Sequence, residues 1–257
     1  LQQVFSFHPL LIGGDPQHAP AIYALICHLE RTWGVHFARG GMGAVVRGLA
    51  RVLEELGVQT RLNAPVEEII VDAGRARAVR VRGESIAADL VVCNSDVSWT
   101  YQHLVHPRHR PSNSDRRLQR LRYSMSLFLV YFGTDRTYPQ LTHHSIVLGP
   151  RYEGLLDDIF RNRRLAPDMS LYLHAPTRSD PSLAPPGCET FYVLSPVPNL
   201  KADLDWPAIR ERYRDAVYER LEQTCVPDLR RHLVTERLFT PNDFESDLSS
   251  YLGAAFS

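Results

Sequence analysis

The segment from Phe37 to Asp96 constrains the fold of this 257-residue chain more than any other. It opens with the glycine cluster Gly40-Gly41-Met42-Gly43. Apolar residues then recur at helical spacing, namely Val45, Leu49, Val52, Leu53 and Leu56. Gly57 follows them, where a left-handed C-terminal cap is favoured. The pattern predicts a helix that begins directly after the glycines and ends at Gly57.

Short extended runs follow this helix. Strands are predicted at 58–62, 66–71, 76–82 and 90–93. In the third run Val79 and Val81 alternate with arginines, which is the pattern of a half-buried strand, and Asp72-Ala73-Gly74 is predicted as the preceding turn. The fourth run is apolar on both faces, which predicts a fully covered strand.

The rest of the chain predicts a mixture of strands and helices, hence an α/β (α+β) fold. Apolar spacing predicts a helix over 22–31, and the polar, basic stretch 107–117 predicts a boundary. Beyond it, strands are predicted at 126–132, 145–148, 170–173, 190–196 and 233–239. Asp205 and Pro207 predict the N-cap and first turn of a helix that ends before Pro227.

Composition excludes several classes of protein. Lys plus Arg equals Asp plus Glu at 29 each, so no overall charge favours a nucleic-acid partner. The four cysteines form no C-x-x-C pair, which favours reduced thiols in the cytoplasm. The nearly uncharged run 125–134 is about half the length that a spanning helix needs. Because the chain starts at Leu1 without a leader pattern, we expect a piece of a longer polypeptide.

The glycine cluster has two interpretations. Backbone N–H groups at a helix N-terminus, with the charge of Arg39 beside them, are typical of an anion site. A glycine pair before a helix is also a common steric device. The dinucleotide fingerprint requires a preceding strand, and the stretch 33–37 is too short and irregular to be one.

The histidines predict no metal site. His103, His106 and His109 are spaced by three residues, but Pro107 interrupts any helix that would align them. His143 and His144 adjoin a predicted strand and should point to opposite faces, so at most one of them would join a site.

Other candidate groups are few. His8 would lie against an aromatic wall, with a satisfied core histidine as the alternative. Asp157 and Asp158 are predicted to be solvated. The sequence contains no G-x-S-x-G, H-E-x-x-H or P-loop motif, which leaves hydrolysis and phosphoryl transfer without support.

Several motifs together resemble the flavin-containing amine oxidase and carotenoid desaturase superfamily: Gly40-Gly41, the helix over 45–56, Gly57-Val58, Asn63-x-x-Val66 and Val91-Val92-Cys93-Asn94-Ser95-Asp96. A second set is more narrowly similar to bacterial phytoene desaturases: the runs 5–14, 149–152, 170–176 and 194–198, the pair His143-His144, Phe239-Thr240-Pro241-x-Asp243-Phe244 and Gly253-x-Ala255-Phe256-Ser257. The resemblance extends over essentially the whole chain.

The resemblance implies FAD as cofactor. In that family FAD is held by an N-terminal βαβ unit and a second glycine-rich segment, and this sequence contains neither. We therefore expect the central part of a two-domain FAD-dependent oxidoreductase fold, without the βαβ dinucleotide unit. Residues 1–36 would be a helical entrance to the substrate domain, residues 37–100 part of the FAD-binding domain, and residues 101–257 the substrate domain.

The family pattern also implies roles for individual residues. Val66 would offer backbone groups to the adenine, and Asn94 would end the strand beneath the cofactor. Gly40 and Gly41 would let the backbone approach the flavin or the substrate channel closely. Where the family usually has proline, this chain has Ala38, which loosens the expected turn.

The implied activity is desaturation of phytoene toward neurosporene or lycopene, with the chemistry supplied by the flavin. An apolar channel is then required, and its candidate wall residues are Phe5, Phe7, Leu10, Leu11, Phe128 and Tyr131. His8 and Arg39 are the candidates for catalysis.

Because phytoene resides in the bilayer, the resemblance implies a cytoplasmic protein docked on the membrane surface. The alternatives are another carotenoid oxidoreductase, such as a hydroxyneurosporene desaturase or a carotenoid isomerase, and a flavin-free piece that binds apolar lipid.

Overall fold

The computed structural model describes residues 8–256, and the predicted wall residues Phe5 and Phe7 lie outside this range. Helix α1 spans Ala24–Trp33 and helix α2 spans Met42–Glu55, which confirms both predicted helices of this part. Gly57 (φ 73°) donates its N–H to the carbonyl of Glu54, and Val58 donates to Leu53, each over 2.9 Å. These two bonds form the predicted glycine cap at the end of α2.

A small antiparallel sheet follows α2. Its strands are β1 (Val66–Asp72), β2 (Arg75–Val81) and β3 (Glu84–Ala87), in the order β1-β2-β3. The predicted turn between β1 and β2 is confirmed, and Ala73 and Gly74 both have positive φ there, which suits a two-residue hairpin loop.

Two predicted strands of this region are wrong. Residues 58–62 and 90–93 form no strand, and Leu90 and Val92 are 79% and 83% exposed. β3 pairs with β2 instead, because Arg82 and Gly83 both take positive φ and close a second tight hairpin. β2 therefore pairs with the strand that follows it directly in the chain, and the apolar run 90–93 stays outside the sheet.

Two short helices lead to the second half. Helix α3 spans Val97–His103, and Asp96 caps it by accepting the N–H of Trp99 over 2.7 Å. Helix α4 spans Asp115–Arg120. A backbone bond of 2.7 Å from Ile69 to Leu104 ties β1 to the end of α3.

A larger antiparallel sheet organises the second half. Its strands are β4 (Ser126–Thr134), β5 (His144–Val147), β6 (Leu171–His174), β7 (Glu189–Val197) and β8 (Leu233–Phe239). They lie in the order β5-β6-β7-β4-β8, and every neighbouring pair is antiparallel. All five strands were predicted, to within two residues at each end.

Four more helices accompany the sheet: α5 (Tyr152–Asp157), α6 (Trp206–Thr224), α7 (Leu229–His232) and α8 (Pro241–Leu248). Helix α6 begins as predicted, since Asp205 accepts the N–H of Ala208 over 3.2 Å. It covers one face of the sheet, where its Trp206 and Tyr213 pack on Phe128 of β4. This face holds the main core.

The prediction of a solvated Asp158 is wrong. Its side chain is only 2% exposed and accepts hydrogen bonds from Arg151 (3.1 Å), Arg164 (2.7 Å) and Asn162 (3.0 Å). These hydrogen bonds, that from Asn162 first, lower the pKa of Asp158 to about 2. The carboxylate therefore joins the end of α5 to the loop that follows it.

Candidate functional site

The face of the large sheet opposite α6 bears an apolar cavity of about 470 Å³. Alternate residues of the strands form its floor, because every second side chain of a strand points to the same face. These floor residues are Leu127, Leu129 and Tyr131 of β4, Ile146 of β5, Tyr172 of β6, and Tyr192 and Leu194 of β7. The volume lies in the range of small-molecule sites.

Residues from outside the sheet complete the wall. Leu10 and Leu11 come from a short 3-10 helix over His8–Ile12, Tyr152 from α5, Phe244 from α8, and Phe256 from the end of the described chain. Three of the predicted wall residues, Leu10, Leu11 and Tyr131, therefore line one cavity. The lining is predominantly apolar, as a hydrocarbon ligand requires.

Phe128 lies on the other side of the sheet. It is 1% exposed and packs between Trp206 and Tyr213 of α6. Positions 128 and 131 differ by an odd number of residues, so the two side chains point to opposite faces of β4. The cavity instead has Leu127 and Leu129, which the sequence analysis did not single out.

Aromatic side chains run across the cavity face from β4 to β5. We call Tyr131, Tyr192, Tyr172, His174 and His144 the aromatic row. Neighbouring ring centroids lie 5.9 Å apart for Tyr131 and Tyr192, 4.5 Å for Tyr192 and His174, and 5.3 Å for His174 and His144. The row joins the cavity to a cluster of histidines at the edge strand.

Burial keeps Tyr172, Tyr192 and His174 of the aromatic row uncharged. It raises the pKa of Tyr172 and of Tyr192, so both remain phenols at neutral pH. It also lowers the pKa of His174 to about 4, helped by the neighbouring His143 and His144. The polar groups along this face therefore present hydrogen-bonding dipoles to a ligand instead of formal charge.

His143 and His144 lie together, and the prediction that they point to opposite faces is wrong. Their ring centroids are 4.4 Å apart, and both rings also approach His174. Strand alternation does not apply to His143, because β5 begins only at His144. Phe37, from the segment before the glycine cluster, packs on His143 and His174 at 4.7 and 5.8 Å.

The glycine cluster lies against the loop that follows β6. Gly40 donates its N–H to Oδ2 of Asp180 over 2.7 Å, so a carboxylate of the chain itself occupies part of the predicted anion site. Gly41 (φ 72°, ψ −174°) adopts a backbone conformation open almost only to glycine. Its N–H donates to the carbonyl of Ala38 over 2.9 Å, so the turn closes without the proline usual at position 38.

The positions predicted to approach the cofactor lie at accessible surfaces. Gly40 and Asn94 are exposed, Val66 is half-buried at the start of β1, and no side chain caps the N-terminus of α2. A Cβ added at Gly41 would meet only Leu183, at 3.8 Å. Open backbone and uncapped N–H groups fit the polar edge of a flavin nucleotide.

The two predicted catalytic residues lie in different surroundings. Arg39 is exposed, and its charge helps to lower the pKa of Asp180, after the larger effects of hydrogen bonds from Ser182 and Gly40. His8 is buried, with Nε2 at 3.2 Å from Glu30 and Nδ1 at 3.5 Å from the thiol of Cys27.

A second concave surface is basic. Its lining includes Arg120, Arg122, Arg161, Arg163 and Lys201, together with the single carboxylate of Asp15. The ammonium of Lys201 donates to the carbonyls of Gln119 and Leu121, each over 3.1 Å, and burial followed by the charge of Arg163 lowers its pKa. Across residues 8–256, no helix is both long and apolar enough to cross a membrane.

Helix α2 has no buried residue. Val45, Leu49 and Val52 follow one another along one face and are 40%, 63% and 48% exposed. An apolar stripe of this kind normally packs on another element.

Comparison with known proteins gives consistent matches. Residues 1–236 match the family model described as flavin containing amine oxidoreductase. The chain is 48% identical over 261 residues to a lycopene-forming phytoene desaturase of Pseudescherichia vulneris, covering 100% of the chain and 53% of that relative. It is 45% identical over 265 residues to a neurosporene-forming phytoene desaturase of Cereibacter sphaeroides, covering 100% and 51%. The chain thus spans about half the length of the curated relatives it matches.

A solved oxidoreductase structure from Methanosarcina mazei superimposes with a TM-score of 0.62 at 16% identity, over 93% of this chain and 52% of that one. This likeness concerns the fold and supports the predicted mixed α/β class.

Proposed function

Because the chain belongs to the family of flavin containing amine oxidoreductases, we propose that it forms the substrate-binding part, and a portion of the flavin-binding part, of an FAD-dependent phytoene desaturase. The reaction would be the desaturation of phytoene toward neurosporene or lycopene. The cavity on the large sheet carries this proposal, since an apolar space of about 470 Å³, with Tyr131, Tyr172 and Tyr192 in its floor, suits a hydrocarbon chain.

The chain's own residues would bind and orient the polyene. Leu10, Leu11 and Leu129 would exclude water along the hydrocarbon, and Tyr131, Tyr172 and Tyr192 would pack their rings on it. The bound flavin would supply the oxidising chemistry. The contact of Phe37 with His174 of the aromatic row, and with the neighbouring His143, supports a path from the cavity to the glycine cluster.

The residues that would hold FAD are Gly40, Gly41, Val66 and Asn94. The positive φ of both glycines and the exposure of Gly40 and Asn94 support close approach of a planar group to the backbone. Arg39 and His8 stay predictions for catalysis. Of the two, Arg39 has the accessible side chain that contact with a ligand requires.

The three predicted segments are proposed as functional parts. Residues 37–100, which hold α2 and the small sheet, would belong to the FAD-binding domain, and residues 101–257 to the substrate domain. Residues 1–36 would form the entrance, from which Leu10 and Leu11 reach the cavity. The exposed stripe of α2 would pack on the remainder of the FAD-binding domain, since the relatives are about twice as long as this chain.

The test of the activity is expression of the full-length gene in cells that accumulate phytoene. We expect coloured products with extended conjugation, identified by absorption spectra and chromatography. An unchanged pigment profile in cells that contain soluble, flavin-loaded protein would reject phytoene as the substrate. The same assay in cells that accumulate hydroxyneurosporene or cis-carotenoids distinguishes the other carotenoid oxidoreductases.

We further propose that the cytoplasmic protein docks on the membrane surface through the basic concave surface defined above. Five cationic side chains there suit the negative surface potential of anionic lipids. Sedimentation with phosphatidylglycerol vesicles tests this. The pair Arg120→Glu and Arg122→Glu should reduce binding, whereas Arg210→Glu and Arg212→Glu on α6 should not. Equal binding by both pairs would reject this surface as the contact.

A further inference from the structure

Three histidines converge at the edge of the large sheet. His144 of β5 and His174 of β6 are directly opposite each other in the strand register, and His143 immediately precedes β5. A ligating nitrogen of each lies within 4.8 Å of those of the other two. Two independent strands and a turn therefore bring three imidazoles to one point.

Two of the three imidazoles, those of His143 and His144, are oriented by hydrogen-bond partners at Nδ1. Nδ1 of His143 pairs with Oγ of Ser179 over 2.5 Å, and Nδ1 of His144 pairs with the hydroxyl of Tyr172 over 2.6 Å. These contacts direct Nε2 of each ring away from its partner, and Nε2 of His143 faces His174. Metal-binding histidines are commonly held in this way, because a partner on one ring nitrogen fixes the tautomer and directs the other nitrogen at the ion.

The cluster does not satisfy its own hydrogen-bonding groups. Nε2 of His143 and Nε2 of His174 face each other at 2.8 Å, so only one of them can carry the shared proton. Within residues 8–256, Nδ1 of His174 is a buried nitrogen that lacks a hydrogen-bond partner, in a residue only 8% exposed. A cation between Nε2 of His143 and Nε2 of His174 would take the place of the shared proton and bind the lone pairs of both atoms.

The chemistry of the donors selects the ion. The donors are three imidazole nitrogens, one each from His143, His144 and His174. Neutral imidazoles without a carboxylate suit zinc, cobalt, nickel or copper, and do not suit magnesium or calcium. Nitrogens on one zinc ion lie about 3.3 Å apart, given bonds of about 2.0–2.1 Å and tetrahedral angles. A small ring rotation would open the 2.8 Å pair to that spacing.

We propose that His143, His144 and His174 bind one divalent transition-metal ion of the imidazole-preferring class. The exposed His144 gives an ion access from solvent. Three protein ligands leave a fourth coordination position for water or another small ligand. The site includes two members of the aromatic row, His144 and His174, and its proposal does not depend on the proposed desaturation.

The test uses the full-length, flavin-loaded protein without an affinity tag, stripped with EDTA and dialysed. Cobalt(II) is titrated while its visible absorption is recorded, and zinc(II) is titrated by calorimetry. We expect one equivalent of each ion to bind. His144→Ala, at an exposed position, should weaken binding by about tenfold or more, and His174→Asn should do the same.

The matched control is the pair His106→Ala and His109→Ala, whose rings lie 6.3 Å apart outside the cluster and which should bind like the unaltered protein. Absence of stoichiometric binding would overturn the proposal. So would equal affinity of His144→Ala and the control.

Discussion

Gly40 donates its backbone N–H to the carboxylate of Asp180, 140 residues away, over 2.7 Å. This bond joins the glycine cluster to the loop after β6, next to the contact of Phe37 with His143. The hydrogen bonds of Asp180, first with Ser182 and then with Gly40, lower its pKa. The ionised carboxylate therefore predominates above its ordinary pKa of 3.8, and the charge-assisted bond weakens as the pH falls below that value.

Asp180→Ala should loosen this connection. We expect faster amide hydrogen exchange at Gly40 and in the turn around it, because the N–H loses its acceptor. Ser182→Ala is the matched control, since it removes the hydroxyl on Oδ1 and leaves the bond from Gly40 to Oδ2. Equal exchange rates in the two variants would contradict a role for this bond.

Gly41→Ala should destabilise the protein by about 1–3 kcal/mol, because alanine is strained at φ 72° and ψ −174°. Space does not limit this position, since a Cβ there makes only an ordinary contact with Leu183. Gly48→Ala in the middle of α2 should instead stabilise by about 0.5–1 kcal/mol. Urea unfolding of both variants measures the difference. If Gly48→Ala lowered the free energy of unfolding as much as Gly41→Ala, backbone strain would not be the cause.

Leu49→Asp tests whether the apolar stripe of α2 is covered in the full-length protein. If the remaining FAD-binding domain packs there, the substitution should cost about 3 kcal/mol or more and lower the flavin content. Arg51→Asp, two residues further and on the opposite side of the helix, should change stability little. Similar stability and flavin content in the two variants would reject the proposed packing.

Ile146→Glu tests the cavity. Ile146 is 40% exposed in the cavity floor, so a carboxylate at this position would not disturb the core. It would, however, face an apolar ligand in the cavity. Conversion of phytoene should fall by about tenfold or more, because the charge would have to be desolvated. Val234→Glu on β8, at a 65% exposed position of the same sheet, is the control. Full activity of Ile146→Glu in flavin-loaded protein would exclude this cavity as the binding site.

Asp158→Asn should destabilise by about 1–3 kcal/mol, because Arg151 and Arg164 lose a charged acceptor. The folded-state pKa of about 2 lies below the ordinary value of 3.8. The stabilisation is therefore complete above about pH 4 and is lost as the pH falls through about 2. Thermal unfolding across pH 2–7 measures this. The difference in melting temperature between the unaltered protein and Asp158→Asn should narrow only in the acid range. Glu153→Gln should melt like the unaltered protein at every pH.

Local patterns were sufficient for most elements. The recurrence of apolar residues predicted α2, and extended runs of strand-favouring residues predicted all five strands of the large sheet. Asp205 and Gly57 were identified from the backbone groups that helix ends leave unpaired. Such signals lie within a few residues of one another, so the chain carries them before it folds.

Local signals failed where the surroundings of a residue depend on how the chain folds around it. The run 90–93 reads as a covered strand but is exposed, because β2 finds its partner in the adjacent hairpin. Asp158 reads as surface, yet a bend of the chain brings Arg151 and Arg164 onto it. Of the predicted wall residues, Phe128 lies in the core under α6, whereas Tyr131 lies in the cavity. The two environments differ because α6 covers only one face of the sheet.

The amino-acid sequence by itself determined helices α1, α2 and α6, the five strands of the large sheet and the family to which the chain belongs. Only the tertiary structure decided which alternate residues of those strands face the cavity and which face α6, since periodicity separates two faces without saying which is covered. Tertiary structure also brought His174 beside His143 and His144, because strand pairing joins residues 30 positions apart that no local pattern connects.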